Sequence, residues 1–120
     1  MSFDAAMAAV GQVVGTFPTP FEPGEAVTIK VAVPLESVCP FDGQQDHSLL
    51  EVEYVPAGVC LELESFRRYV AGFADERLSH EEIVRAVYRL LRRVVLRPVR
   101  LVVRDTFARD GLTLTVEVGR

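Results

Sequence analysis

The feature that most constrains the fold is a change of hydrophobic period along the chain. Apolar and polar residues alternate with a period of two in two stretches between residues 27 and 54, and in two more between residues 99 and 118. Between these pairs of stretches, apolar residues recur every three or four positions, which is the period of an amphipathic helix. The pattern predicts the order strand–strand–helix–helix–strand–strand. This is an α+β fold whose four-stranded antiparallel sheet carries two helices on one face.

Local signals delimit the predicted helices. The first has one apolar face, made of Phe66, Tyr69, Val70 and Phe73. The pattern loosens from Gly72 onward, which ends this helix. The second helix opens at Ser79, which forms a capping box with Glu82, and it is closed by Pro98. The pair Asp110–Gly111 predicts the turn between the last two strands.

The chain length of 120 residues predicts one domain that spans residues 1–120. Three prolines make residues 17–24 a linker, because each proline removes a backbone donor and fixes φ. Residues 1–25 are therefore predicted to be an N-terminal extension with a Pro-rich linker, and residues 26–118 the core. Residues 1–16 combine features of helix and of strand, and their conformation is left open.

Composition bears on partners and location. The net charge of −4 argues against a nucleic-acid partner, since such binding depends on neutralising phosphates. No stretch approaches the roughly 18 consecutive apolar residues of a membrane span. The N-terminus has no basic leader, and the two cysteines suggest free thiols rather than a disulfide scaffold. A cytoplasmic location is the expectation.

Cys39, Asp46 and His47 stand close together in a polar stretch that Pro40 and Gly43 interrupt, between the first two predicted strands. Thiols, carboxylates and imidazoles are the groups from which nucleophilic and acid–base sites are built. The polar surroundings favour a reactive Cys39 over a buried, inert thiol. Beside it, Asp46 is expected to donate or accept a proton, although a carboxylate in a turn can also simply bond the backbone.

His80 and Glu81 occupy the first turn of the second predicted helix. The positive end of the helix dipole disfavours an imidazolium there, which predicts a lowered pKa and a neutral His80 able to exchange protons. The same dipole explains Glu81 as a stabilising helix-end carboxylate. Glu62, which interrupts an apolar run, is explained locally as a solvent-facing strand residue.

Two other site types are weaker. Cys39, His47, Cys60 and His80 could together bind zinc, but their spacing matches no common ligand motif. The apolar neighbours of Cys60 favour a structural role instead. The arginines of the second helix, Arg85 and Arg89 among them, are explained better by a solvated face than by RNA binding.

Several motifs together resemble the 7-cyano-7-deazaguanine reductases, the QueF family. They are Val38–Pro40, then Gly43, Gln44 and Asp46, then Glu62 with the Ser-Phe-Arg-x-Tyr run of residues 65–69, and finally His80–Glu81. The similarity covers roughly residues 34–118, and the spacing from Cys39 to Asp46 to His80 agrees without gaps.

The resemblance implies a tunnelling fold and a covalent mechanism. Cys39 would attack the nitrile carbon of 7-cyano-7-deazaguanine to form a thioimide, with Asp46 as proton donor and His80 assisting. Glu81 and Glu62 would bind the base. NADPH would then deliver hydride to give the 7-aminomethyl product used in queuosine synthesis.

The resemblance also implies that Arg67 and Arg109 contact the phosphates of NADPH. The chain departs from the family at two basic positions, where it carries Glu64 and Ala74. These departures bear on NADPH binding and not on capture by Cys39. Relatives that add ammonia to the same nitrile are the next alternative, and a zinc-dependent GTP cyclohydrolase is a more distant one. A structural or RNA-binding protein would leave Cys39 without a role.

The family resemblance further implies assembly. Identical subunits of the tunnelling fold would join their sheets edge to edge into a β-barrel, which covers the unpaired edge strands, and active sites would lie at the subunit boundaries.

Overall fold

The protein is described from a computed structural model, which covers residues 14–95 and 98–119. Its strands are β1 (Thr16–Pro18), β2 (Ile29–Val38), β3 (Gln45–Val55), β4 (Val59–Leu61), β5 (Arg100–Arg109) and β6 (Leu112–Gly119). Its helices are α1 (Leu63–Ala71) and α2 (His80–Val94). The predicted α+β order is confirmed, with two short strands, β1 and β4, in addition.

The main sheet has the order β2-β3-β5-β6, and each neighbouring pair is antiparallel. The short strands form a separate pair in which Phe17 lies opposite Cys60. The prediction of a linker over residues 17–24 was therefore wrong for Phe17 and Pro18, which belong to β1. Proline is tolerated here because a strand at a sheet edge does not need every backbone donor. Most of residues 1–16, whose conformation the sequence leaves open, lies outside the described residues.

The helices pack on one face of the main sheet. The register places every second strand residue on this face, and most of these positions are apolar and buried. The central contacts join Leu50, Val52 and Val103 of the sheet to Phe66, Val70, Ile83, Val87 and Leu91 of the helices. The opposite face is polar, with ion pairs such as Lys30–Glu53 and Arg104–Glu117. Within residues 14–95 and 98–119, no helix is both long and apolar enough to cross a membrane.

The start of α2 follows the prediction. The hydroxyl of Ser79 accepts a hydrogen bond of 3.1 Å from the backbone N–H of Glu82. In return, the Glu82 carboxylate accepts one of 3.1 Å from the backbone N–H of Ser79. This capping box is confirmed, and it makes His80 the first helical residue. Because the cap defines where the helix begins, it also determines where the imidazole stands relative to the sheet.

The hairpin of β5 and β6 turns at Asp110 and Gly111, both with positive φ (53° and 83°). Positive φ at both central residues of a two-residue loop is typical of an Asp-Gly turn, so the predicted turn is confirmed. Strand β5 is longer than its apolar pattern predicts, because it continues as far as Arg109. Asp105, Phe107 and Arg109 therefore share the helix-covered face, one above the other, toward the end of the sheet where β2 turns into β3.

Candidate functional site

The loop between β2 and β3, residues 39–44, is a tight turn that we call the thiol loop. Cys39 N–H donates to the Gln44 carbonyl at 2.8 Å, and Gly43 N–H donates to the Cys39 carbonyl at 3.0 Å. Gly43 has a φ of 74°, and a side chain there would also meet the guanidinium of Arg77. These contacts fix Cys39 at the end of the sheet, where it is buried. Its thiol donates a hydrogen bond to the Asp42 carboxylate.

Asp46 lies next to the thiol loop and is buried, with both carboxylate oxygens engaged. Its Oδ2 is 3.2 Å from Nε2 of His80. Its Oδ1 accepts a hydrogen bond of 3.0 Å from Nη1 of Arg109. Asp46 is the second residue of β3 and His80 the first of α2, so a strand start and a helix start meet here.

The imidazole of His80 lies between two carboxylates. Its Nδ1 is 2.6 Å from Oδ2 of Asp105, on the side opposite Asp46. The ring stacks on Phe107 with a centroid distance of 4.4 Å and an interplanar angle of 25°. With both nitrogens in contact with a carboxylate and one face covered by Phe107, the ring has a single defined orientation.

The prediction of a lowered pKa for His80 was wrong. Burial does lower the pKa of this imidazole, but the hydrogen bonds and negative charges of Asp105 and Asp46 outweigh burial, and the pKa is raised. The helix dipole acts within the first turn and is worth about 0.3–1 kcal/mol at exposed positions. Two carboxylates in direct contact have a larger effect.

Arg109 connects the thiol loop to Asp46. Its Nη2 donates to Asp42 at 3.0 Å, and its Nη1 donates to Gln44 at 3.2 Å and to Asp46 at 3.0 Å. Burial lowers the pKa of this guanidinium, but the charges of Asp42 and Asp46, and after them the Cys39 thiol, outweigh burial, and the pKa is raised. The pKa of Asp42 is lowered, first by the backbone hydrogen bond from Gln44 and then by the bond from the thiol.

The other predicted site residues lie outside this cluster in the described part of the chain. The Glu62 carboxylate caps α1 by accepting from Ser65 N–H at 2.8 Å, so it is a helix cap and not the strand residue that local reading suggested. Glu81 is exposed in the first turn of α2. Arg67 is exposed and paired with Glu64 at 2.5 Å.

Neither of the remaining zinc candidates joins the cluster. His47 points to the helix-free face, where its Nδ1 lies 3.4 Å from Glu36. Cys60 is a buried, free thiol in β4. No group of three histidine, cysteine, aspartate or glutamate side chains within the described ranges could hold a metal ion.

Asp105 and Phe107 are site residues that sequence reasoning missed. The available signal was parity: both lie an even number of positions before Arg109, so any strand that reaches Arg109 presents all three on one face. The predicted strand ends near Val103, so the sequence pattern alone does not assign Asp105 and Phe107 to this face.

The assembled groups suit nucleophilic chemistry on a polar multiple bond. The Cys39 thiol is the candidate nucleophile, and the Asp46–His80 pair beside its loop is available for proton transfer.

Comparisons with known proteins agree on a family. The family model described as QueF-like protein matches residues 45–120. A protein of Thermosynechococcus vestitus named NADPH-dependent 7-cyano-7-deazaguanine reductase is 38% identical over 78 residues, which is 64% of this chain and 58% of that protein. One of the same name from Thioalkalivibrio sulfidiphilus is 38% identical over 73 residues, 60% and 56% of the two chains.

The matched segments thus cover less than two thirds of the length of these curated relatives. A solved structure, the archaeosine synthase QueF-Like in the apo form, superposes with a TM-score of 0.70 at 24% identity and covers 79% of this chain and 94% of that one. This similarity supports the fold. The family model covers more than half of the chain, and the chain therefore belongs to the QueF-like protein family.

Proposed function

We propose that this protein captures 7-cyano-7-deazaguanine as a thioimide on Cys39. The observation that carries the proposal is that Arg109 binds both Asp42 of the thiol loop and Asp46, which holds the loop of the buried Cys39 beside the Asp46–His80 pair. A nitrile is a weak electrophile, and a thiol adds to it only if the nitrogen receives a proton as the carbon is attacked. Both functions, nucleophile and proton donor, are present within one cluster.

The addition balances without any other reagent. The sulfur of Cys39 forms a bond to the nitrile carbon, and one π bond of the nitrile breaks. The nitrogen takes one proton from the Asp46–His80 pair, and the proton released by the thiol restores that pair. The raised pKa of His80 favours an imidazolium, which serves as the proton reserve beside Asp46.

We assign recognition of the base to Glu81 and Glu62, following the family resemblance. A carboxylate that accepts two N–H donors suits the guanine-like edge of the substrate. In a single chain Glu81 is exposed and Glu62 caps α1, so the base pocket is incomplete. We propose that a neighbouring copy completes it in a barrel that joins the free edges of β2 and β6.

For the step after capture, we propose reduction to 7-aminomethyl-7-deazaguanine, because the matched relatives are named NADPH-dependent reductases. The residues implied for the cofactor phosphates do not fit this role in the single chain. Arg67 is paired with Glu64, and Arg109 is engaged by Asp42, Gln44 and Asp46.

Amidation is the second candidate, and the pairing of Arg67 with Glu64 favours it. A carboxylate at Glu64, where the family carries a lysine, neutralises Arg67 and so weakens a phosphate site. Attack of ammonia on the thioimide carbon would expel the Cys39 thiol and leave a formamidine, without hydride. In either case we expect a small-molecule substrate and a cytoplasmic enzyme, and no nucleic acid or membrane partner.

Intact-protein mass spectrometry after incubation with 7-cyano-7-deazaguanine tests the proposal. We expect an increase of one substrate mass that Cys39→Ala abolishes and Cys60→Ala retains, since Cys60 is the other free thiol and lies in β4. Loss of the adduct on adding NADPH identifies a reductase, and loss on adding ammonia alone identifies an amidating enzyme. Absence of any adduct on the wild-type protein rejects thioimide capture.

A further inference from the structure

We propose that Arg109 is a positioning residue that assembles the thiol site, rather than a side chain held ready for a cofactor phosphate. The inference rests on the proposed function, since it concerns the same thiol. It assigns to Arg109 the task of holding the thiol loop and Asp46 in one arrangement before any cofactor arrives.

The hydrogen bonds of Arg109 reach the interior and the end of the thiol loop and also Asp46 beyond it. Nη2 binds Asp42 within the loop, and Nη1 binds Gln44 at its end and Asp46 at the start of β3. Asp42 in turn accepts from the thiol of Cys39. One guanidinium therefore links the nucleophile to the carboxylate that we expect to protonate the substrate.

The guanidinium is itself held from two sides. It lies over the ring of Phe107 with a distance of 5.6 Å from Cζ to the ring centroid. Its residue is the last of β5, immediately before the turn at Asp110 and Gly111, and only 31% of its side chain is exposed. The side chain of Arg109 is therefore held in one position by its neighbours, as a positioning residue requires.

The planar fork of arginine is required by this geometry. Its two Nη atoms donate to acceptors that lie in different directions, whereas the ammonium of lysine is a point charge on a flexible side chain. The positive charge of Arg109 is already balanced, because the carboxylates of Asp42 and Asp46 both form ion pairs with it. These two carboxylates and Gln44 already take three of the five N–H donors of Arg109, so a phosphate would have only the remaining two.

The test measures adduct formation from 7-cyano-7-deazaguanine without NADPH, so that no cofactor role can contribute. We expect Arg109→Gln to lower the limiting rate at saturating base by about tenfold or more, the loss expected for charge-assisted hydrogen bonds. The concentration of base at half-maximal rate should change little. Arg109→Lys should recover only part of the rate, because it keeps the charge but not the fork.

Arg104→Gln is the matched control. It removes an arginine of the same strand whose partner, Glu117, lies on the helix-free face. We expect the wild-type rate for this variant. Should Arg109→Gln fail to fold, Asp42→Asn is the alternative variant. It removes the carboxylate of the thiol loop that pairs with Arg109 and leaves Arg109 in place. It should slow the reaction as well.

Alkylation of Cys39 by iodoacetamide at one fixed pH supplies a readout that does not depend on the substrate. We expect Arg109→Gln to raise the rate of alkylation, because the buried Cys39 becomes more accessible when the thiol loop is no longer held to Asp46. Unchanged rates of adduct formation and of alkylation in Arg109→Gln overturn the inference. If the wild-type protein forms no adduct but Arg109→Gln still raises the alkylation rate, the proposed function fails and the positioning role stands.

Discussion

Asp105 and His80 meet across the boundary between the sheet and α2, with Oδ2 of the carboxylate 2.6 Å from Nδ1 of the imidazole. Asp105 is fully buried and stands in register between Leu50 of β3 and Val116 of β6. Its second oxygen has no hydrogen-bond partner among the described residues. A charged carboxylate is tolerated in an apolar part of the core only where it is paired. The pairing with His80 therefore allows Asp105 to occupy this buried position.

Asp105→Asn should therefore destabilise the protein in a manner that depends on pH. We expect a loss of about 2–3 kcal/mol in the free energy of unfolding at pH 6, where the imidazolium loses the nearer of its two carboxylate partners. The loss should be smaller at pH 8.5, because a neutral imidazole needs no counter-charge. Urea denaturation at the two pH values measures it. Asp75→Asn, at an exposed position, is the control, and equal losses at both pH values would contradict the assignment.

The wild-type protein should also lose stability as pH rises. The pKa of His80 is raised above its ordinary value of 6.5 in the folded state, so the folded protein binds more protons than the unfolded one. This contribution is fully present below pH 6.5 and is lost as pH rises through the folded pKa. Urea denaturation between about pH 5.5 and 9 should show the decline. His80→Gln should flatten it, and an unchanged slope in that variant would assign the decline to another group.

The order of elements could be predicted from the sequence because hydrophobic period and capping are local signals. Ser79 and Glu82 define the start of α2 wherever the helix packs, and the Asp-Gly pair defines the last turn. Cys39 and Asp46 could be found for the same reason, since both belong to one short loop and the strand beside it.

The contacts between elements could not be predicted in the same way. Asp105 lies in a polar stretch of β5, Arg104 to Arg109, where no apolar alternation marks the inward positions. The raised pKa of His80 depends on that distant carboxylate, so an argument from the helix dipole alone gave the wrong direction. The engagement of Arg109 by the thiol loop likewise depends on the pairing of strands far apart in the chain.

Ser79→Ala should cost about 1 kcal/mol of stability, because the first turn of α2 loses one half of its capping box. The same change should slow adduct formation, since His80 is the residue that follows the cap. Thermal denaturation and mass spectrometry measure the two effects. Arg85→Ala, at an exposed position within α2, serves as the control. Stability equal to that of the wild type would show that the cap contributes nothing in the assembled protein.

Leu112→Lys should weaken the proposed assembly. Leu112 opens β6, an edge strand of the sheet, and is 76% exposed in the single chain. An exposed apolar residue on an unpaired edge favours pairing with another chain, and a lysine opposes it. Sedimentation velocity should show smaller species for this variant than for the wild type. Val99→Lys, equally exposed at 75% but outside the strands, should leave assembly unchanged. A monomeric wild type would reject the barrel.

Glu64→Gln should raise the affinity for NADPH if the protein is a reductase. Glu64 holds Arg67 by hydrogen bonds of 2.5 and 3.1 Å, and this pair raises the pKa of the guanidinium. The pair is exposed and screened by solvent, so we expect a gain of at most about fivefold. Fluorescence titration with NADPH measures it. Glu117→Gln releases Arg104 on the opposite face and should change nothing. An unchanged affinity in Glu64→Gln would mean that Arg67 does not bind the cofactor phosphates and would favour amidation.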